Sequence, residues 1–379
     1  MAARLLPGVV VPPLLAWLSD LVGWDWALPD CWLVAVPLGL SFYTFQSLSY
    51  TIDVFRGHIS PCRRLVDYVA YLAAFPRLIA GPIVRFHQVS DQLASRRLEL
   101  DRLARGCLLF ALGLGKKVLL ANPLGTAADA AFAAASPGAF NAWFGLLAFA
   151  FQIYFDFSGY TDMALGLGLM VGLELPPNFD APYRSASVME FWRRWHLTLS
   201  FWLRDYVFLP VAYASGRRLA DCGAPPRREE MLSYTVASMT TMVLCGLWHG
   251  VTWGFVVWGG LHGVWLVLER LVMRKRWYRA APRPLRVGAT FAFLTVSWVF
   301  FRAGSLAASG RYLASLFGFD NPGPSALVRG LLVTPAQLGV LAVAAALAWF
   351  ATPSQRVAAT LTPVRVGLAA VTLWLALAM

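Results

Sequence analysis

Charge is the first scarcity in this chain. Only 14% of its 379 residues are Asp, Glu, Lys or Arg, and 20 are acidic, against roughly 25% charged in an ordinary soluble domain. Hydrophobic residues make up 58% and mean hydropathy is +0.59. These proportions exclude a soluble globule and leave a polytopic membrane protein. Cysteine is scarce too. The five, Cys31, Cys62, Cys107, Cys222 and Cys245, have no paired spacing, so neither a disulfide framework nor a metal site is indicated. Cys245 lies one helical turn before His249, but two ligands do not make a zinc site, and a small buried thiol is the better reading. Internal repeats, a long linker and a separate soluble domain are also missing. No cleavable signal peptide is expected. Arg4 precedes an apolar run that Pro7, Pro12, Pro13 and Asp20 interrupt, and no small-residue cleavage site follows.

What charge there is leans one way. The net charge of +12 resides largely in short segments between apolar runs, at Arg96 to Arg105, Arg217 to Arg228 and Arg274 to Arg286. That distribution follows the positive-inside rule and places these segments in the cytoplasm; no nucleic-acid partner is expected. A spanning helix needs about 20 mostly apolar residues. On that criterion spans are expected near 5–24, 32–52, 103–122, 142–172, 232–248, 251–270, 287–302, 336–351 and 362–379. Residues 66–86 carry Pro76, Arg77 and the Gly81-Pro82 pair. Irregular backbone at membrane depth survives only inside protein or along a wet cavity, so a broken or re-entrant element is expected there. The fold class is an all-α membrane domain, 1–379, with a polar interior.

Four segments concentrate polar chemistry. In SFYTFQSLSYTIDVFRG, 41–57, Asp53 and Arg56 are three apart, which suits either an intrahelical pair or a helix end snorkelling at the interface. In FQIYFDFSGYTDMALGLG, 151–168, Gln152 and Asp156 share a helical face and Asp162 follows six residues later. Two aspartates at membrane depth argue for an interior polar network. In VMEFWRRWHLTLSFWLRDYVFLP, 188–210, Arg193 and Arg204 return to one face of a continuous helix. Trp192, His196, Ser200 and Leu203 form a neighbouring stripe. This segment is too polar to span, and belongs at the interface or inside the protein. In LCGLWHGVTWGF, 244–255, His249 is framed by Trp248 and by Gly246 and Gly250, whose small-xxx-small spacing permits close helix approach or access for a ligand chain. His262 follows, close to Glu269 and Arg270. Histidine is the side chain best placed near neutral pH to take a proton from a hydroxyl. The residues alone leave His249 open between a structural and a catalytic role.

These segments, with FPRLIAGPIVRFHQ and PPNFDAPYRSASVMEFWRRWH, occur in an order that resembles the membrane-bound O-acyltransferase family. The likeness is to the bacterial branch that contains alginate O-acetyltransferases and the teichoic acid D-alanyl transfer protein. It covers about residues 36–302. It implies about eight to ten hydrophobic segments in a ring of spanning and re-entrant helices around a central tunnel, in the bacterial inner membrane. A cytoplasmic acyl thioester, acetyl-CoA or an acyl-carrier donor, would enter from one side, with no cofactor bound. An extracytoplasmic polysaccharide, or a protein relaying acetyl groups to it, would approach from the other.

The resemblance puts the family's catalytic histidine on His249 and its second histidine on His196. His249 would deprotonate the acceptor hydroxyl, although a covalent acyl-histidine is also compatible. Trp192, Arg193, Arg194, Trp195, Arg204, Asp205, Asp156, Asp162 and Trp248 become supporting or donor-binding residues. The arginines would hold coenzyme A phosphates or pair with Asp156 and Asp162. D-alanyl or other acyl transfer from a carrier protein, and a non-enzymatic transport or assembly role, are the competing readings. The chain departs from the pattern twice. Relatives carry more spans before the SFYTFQ motif, where 40 residues stand here, and FLPVAYASGRR replaces the Gly-Gly-Asn-Arg turn of alginate-type members.

Overall fold

The computed structural model describes residues 39–78, 81–319 and 333–379. The expected span at 5–24, the first residues of 32–52 and Cys31 lie outside these. Among the described residues the chain is all helix and turn, without a strand. In order come α1 (Leu40–Phe55), α2 (Leu65–Leu72), α3 (Phe86–Ala94), α4 (Leu100–Gly115), α5 (Asn122–Ala133) and α6 (Ala139–Met170). Then follow α7 (Val188–Trp192), α8 (Leu197–Leu203), α9 (Leu209–Asp221), α10 (Pro226–His249), α11 (Trp253–Val272) and α12 (Arg276–Ala280). The chain continues through α13 (Arg283–Arg302), α14 (Leu306–Leu316), α15 (Pro335–Phe350), α16 (Ser354–Ala358) and α17 (Pro363–Ala378). Each expected span from 103 onward has its helix.

By length and composition α10, α11 and α13 can cross a membrane; α15 and α17 are shorter apolar helices. Helix α6, with 32 residues, runs about 48 Å at 1.5 Å per residue, more than the roughly 30 Å hydrocarbon core. It lies antiparallel against α4, and glycine sets their distance. A Cβ on Gly106 would stand 2.6 Å from the Gly166 carbonyl oxygen, and one on Gly113 equally close to that of Gly159. The converse distances are 2.6 and 2.7 Å. Two glycine pairs, seven residues apart on each helix, bring the backbones together as small residues do in membrane packing.

The broken element expected at 66–86 is present. Helix α2 ends at Leu72, a single 3₁₀ turn covers Phe75–Arg77, and α3 begins only at Phe86. Arg77 is buried there, over the Tyr71 ring and hydrogen-bonded to the Tyr71 carbonyl. The single helix expected over 188–210 is not formed. It stops at Trp192, turns at His196 and resumes at Leu197, then widens into a π-helical turn at Arg204–Phe208 before α9.

Candidate active site

That break falls at His196. Its backbone sits at φ 43°, ψ 54°, a left-handed conformation that costs a non-glycine residue about 1–3 kcal/mol and persists only where its surroundings dictate it. Here they do. The loop segment at 178–180 clamps both sides of the turn: the Leu197 amide donates to the Asn178 carbonyl and the Asp180 amide to the Arg194 carbonyl, each at 2.9 Å. The Asn178 side chain completes the clamp. Its Oδ1 accepts from the Thr198 amide at 3.2 Å and the Thr198 hydroxyl at 2.9 Å, and lies 3.1 Å from His196 Nδ1. An amide N–H can only donate, so the atom facing Thr198 is the amide oxygen, and His196 Nδ1 must carry the ring proton. Nε2 is thereby left with its lone pair, buried and without a partner among the described residues.

His249 ends α10, where the chain turns through Gly250 into α11. Its imidazole is half-buried in an aromatic box of Trp248, Phe255, Trp258 and Phe301, with ring centroids 4.6 to 6.3 Å away, and no hydrogen bond holds it among the described residues. His196 packs on the other side of this group, 6.3 Å from the Trp248 ring and 4.7 Å from Phe157. Trp248 therefore joins the two imidazoles. The indole N–H groups of Trp248 and Trp258 are buried donors without acceptors among the described residues, a costly state in an apolar interior.

His262, three turns further, is different. Trp192 Nε1 donates to its Nδ1 at 3.3 Å, and Nε2 lies 3.2 Å from the Ser297 hydroxyl. Both nitrogens are occupied, so this ring is a structural strut. Nearby Glu269 is saturated as well, by the amides of Val188 and Met189 and by Trp265 Nε1.

A cavity of about 670 Å³ opens between the α7–α9 region and the helices α10 and α11. Arg193, Arg204 and Arg270 stand in its wall with Trp192, Phe201 and Leu266. Ser238, Thr241 and Met242 of α10 also line it, and the hydroxyls of Ser238 and Thr241 have no partner among the described residues. The buried face that carries Ser238, Thr241 and Cys245 reaches His249 three turns later, about 16 Å along the axis. Gly246 and Gly250 on this helix do not open a path. The space beside each is filled by Phe255, through its carbonyl and its ring respectively, so their spacing serves close helix approach.

The arginines and aspartates do not pair with each other as one reading of the sequence had it. Asp162, fully buried, meets Lys116 Nζ at 2.6 Å and Gln355 Nε2 at 2.5 Å. Asp156 meets Lys117 at 2.5 Å. Neighbouring lysines take the aspartates because both lie on the α4–α6 contact, in a π-helical turn at Lys116–Ala121, remote in sequence from the arginines. Arg194 is spoken for by Glu190, at 2.9 Å, and by Asp180. Arg204 forks onto Asp205, which Arg85 also contacts at 2.6 Å. Partial burial raises the Asp205 carboxyl, but hydrogen bonds from Arg204 and Arg85 outweigh it and hold the group below the usual carboxylate range. Arg193 is exposed toward the cavity and, among the described residues, meets no carboxylate. Trp195 is core, packed on Phe179 and Phe191. The Asp53–Arg56 pair is absent: Asp53 accepts from the Tyr206 hydroxyl at 2.8 Å, and Arg56 leans over the same ring. Asn178, Lys116, Lys117 and Gln355 were not singled out by sequence reasoning. The two lysines gave a signal, a charged doublet inside an apolar run; Asn178 and Gln355 gave none.

Comparison with known proteins shows which family the chain resembles. Residues 63–303 match the model of the membrane-bound O-acyltransferase family. The chain is 45% identical over 291 residues to the probable alginate O-acetylase AlgI of Azotobacter vinelandii, covering 76% of this chain and 55% of that protein. It is 33% identical to the peptidoglycan O-acetyltransferase of Helicobacter pylori, over 76% of this chain and 58% of the relative. With the teichoic acid D-alanyltransferase of Streptococcus thermophilus it shares 31% identity over 63% of the chain and 58% of the relative. The chain thus spans a little over half the length of these curated relatives. It is an integral membrane protein that belongs to the membrane-bound O-acyltransferase family.

Proposed function

We propose that this chain carries the catalytic core of a membrane O-acyltransferase in the bacterial inner membrane. It moves an acetyl group from cytoplasmic acetyl-CoA to a hydroxyl of an exported polysaccharide, directly or through a relay protein. The observation that carries this reading is the pair of imidazoles on Trp248, each with a nitrogen uncommitted among the described residues, at the end of the α10 face that lines the cavity. The names of the relatives that share most with the chain support O-acetylation over D-alanyl transfer.

The donor enters the cavity from the basic end, with Arg193 on its phosphates and its acyl-bearing arm along Ser238 and Thr241. His249 Nε2 or Nδ1 takes the proton of the acceptor hydroxyl as its oxygen bonds to the acetyl carbonyl carbon. The carbon–sulfur bond breaks, and the proton passes to the departing thiolate, giving coenzyme A and the ester. A neutral imidazole performs this without a permanent charge in an apolar interior, and such general base catalysis is worth about 10²–10⁴-fold. Trp248 and Trp258 are the buried donors available to the carbonyl oxygen as negative charge builds there. His196, locked by Asn178, accepts a hydrogen bond and orients the acceptor. A ring of helices around a tunnel is part of this proposal.

The test compares O-acetylation of surface polysaccharide in cells lacking the protein and supplied with wild type or His249→Ala at equal membrane abundance. Loss of acetate only in the variant supports the mechanism. Acetylation retained by the variant removes His249 from it, and absence of acetylation from wild type removes the proposed reaction.

A further inference from the structure

A second crevice, of about 290 Å³, lies between α11 and α13 beneath the short helix α12. Its walls are apolar and aromatic, from Trp265, Leu268, Trp277, Tyr278 and Leu285, and Arg286 stands at its edge. Several of these groups face outward: Trp277 and Leu285 are each 65% exposed and Leu268 is 49% exposed. Tryptophan and tyrosine at the end of spanning helices mark the membrane–water interface, and Trp277 and Tyr278 stand together here.

Around this crevice the charge has one sign. From Arg274 to Arg286 there are six basic side chains and no acidic one. Arg274 and Arg283 reach carboxylates elsewhere, Glu230 at 3.9 Å and Glu190 at 3.7 Å. Lys275 and Arg276 meet no carboxylate among the described residues. Arg286 packs over the Tyr278 ring at 5.7 Å, and its Nε is buried without a partner among the described residues. The one acid in the crevice, Glu269, already accepts three N–H donors at 2.7 to 3.1 Å, so its oxygens are turned to α7 and the indole.

An apolar slot that opens to the bilayer beside a group of unpaired cations, on the side the positive-inside rule makes cytoplasmic, is complementary to one class of molecule. We propose that this crevice binds an anionic glycerophospholipid of the cytoplasmic leaflet, with one acyl chain between α11 and α13 and the headgroup phosphate on Arg286 and Arg276. The site is separate from the cavity assigned to the acyl donor and stands whether or not that assignment does.

The test uses the full chain purified in detergent and supplied with equal amounts of phosphatidylglycerol and phosphatidylcholine, with bound lipid read by native mass spectrometry. Wild type retains phosphatidylglycerol preferentially. Arg276→Gln with Arg286→Gln lowers that preference by about 30-fold for two interfacial charges. Ala289→Trp, a change in the crevice wall that alters no charge, also expels the lipid. Arg96→Gln with Arg97→Gln, on exposed basic residues elsewhere, leaves retention unchanged. Equal retention of the two lipids by wild type overturns the proposal, as does a preference that survives both crevice variants. Displacement of the lipid by glycerol 3-phosphate at matching concentration overturns it too, because the crevice would then read phosphate alone.

Discussion

Thr198 donates its backbone N–H to Asn178 Oδ1 at 3.2 Å, and that bond decides which nitrogen of His196 carries a proton. An asparagine has one oxygen and one nitrogen to offer, and an amide N–H can face only the oxygen. His196 Nδ1, 3.1 Å from that same oxygen, is therefore the donor, and Nε2 is kept as an acceptor. A residue eighteen positions upstream sets both the fold of the turn and the protonation pattern of the ring.

Replacing Asn178 should then act on chemistry and on stability together. Asn178→Ala leaves the Thr198 N–H buried and unpaired, a cost of about 1–3 kcal/mol, and frees the His196 tautomer. Acetyl transfer per unit of membrane protein is expected to fall roughly 10-fold or more. Thr198→Val removes the hydroxyl, which donates to Asn178 and accepts from the Ile83 amide at 3.0 Å, but keeps the Thr198 amide that fixes the asparagine. It should lower the unfolding temperature without a comparable loss of transfer. Acetate release assays alongside thermal unfolding in detergent check this, and equal transfer losses in the two variants would refute the tautomer argument.

How much of this could be read beforehand follows from range. Helices α10, α11 and α13 were legible because an apolar run of membrane length identifies itself locally, and the break near Pro76 because proline and glycine disrupt any helix. The break at His196 was not legible. Its residues favour a continuous helix, and the left-handed turn comes from Asn178 and Asp180, which contact it only after folding. The pairing of Asp162 with Lys116 spans 46 residues and that with Gln355 spans 193. No local period encodes either. Helical spacing did place Arg193 and Arg204 on one face, and both line the same cavity although the helix between them is interrupted.

The two histidines of the α10–α11 hairpin separate function from support. His249→Ala removes a ring that has no hydrogen bond among the described residues, so the stability lost should be confined to its packing in the aromatic box, while transfer drops by about 10²–10⁴-fold. His262→Ala leaves Trp192 Nε1 without its acceptor, a loss of about 1–3 kcal/mol. Its expected signature is a lower unfolding temperature and lower abundance, with transfer per folded molecule near wild type. Reversed signatures would exchange the roles given to these rings.

Arg193 and Arg204 line one cavity but differ in commitment. Arg204 is held by Asp205 at 2.6 Å, whereas among the described residues Arg193 has a single hydrogen-bond partner, the Met189 sulfur at 3.8 Å. A free guanidinium is the one able to gain from a phosphate. Arg193→Gln should raise KM for acetyl-CoA by roughly 10-fold or more, the worth of a charged hydrogen bond, with kcat kept. Arg204→Gln releases Asp205 toward the donor site and toward Arg85, so its smaller effect on KM should come with a lower unfolding temperature. Steady-state kinetics in reconstituted membranes, repeated at higher salt, distinguishes the two, and an unchanged KM in Arg193→Gln would detach that residue from the donor.

Lys116 and Lys117 are neighbours with opposite energetic standing. Lys116 meets Asp162, whose side chain is 0% exposed, while Lys117 and Asp156 are 41% and 43% exposed. Removing one partner of a buried pair strands a charge and costs about 3–5 kcal/mol; an exposed pair is worth about 0–1 kcal/mol. Lys116→Met should accordingly destabilise the protein severely, since Gln355 alone cannot neutralise Asp162, and Lys117→Met should be close to silent. Adding Asp162→Leu to Lys116→Met removes the stranded charge and should recover much of the loss. Thermal unfolding of the three variants in one detergent decides it: equal effects of the two lysine variants, or no recovery in the double variant, would mean that burial of Asp162 is not what gives Lys116 its weight.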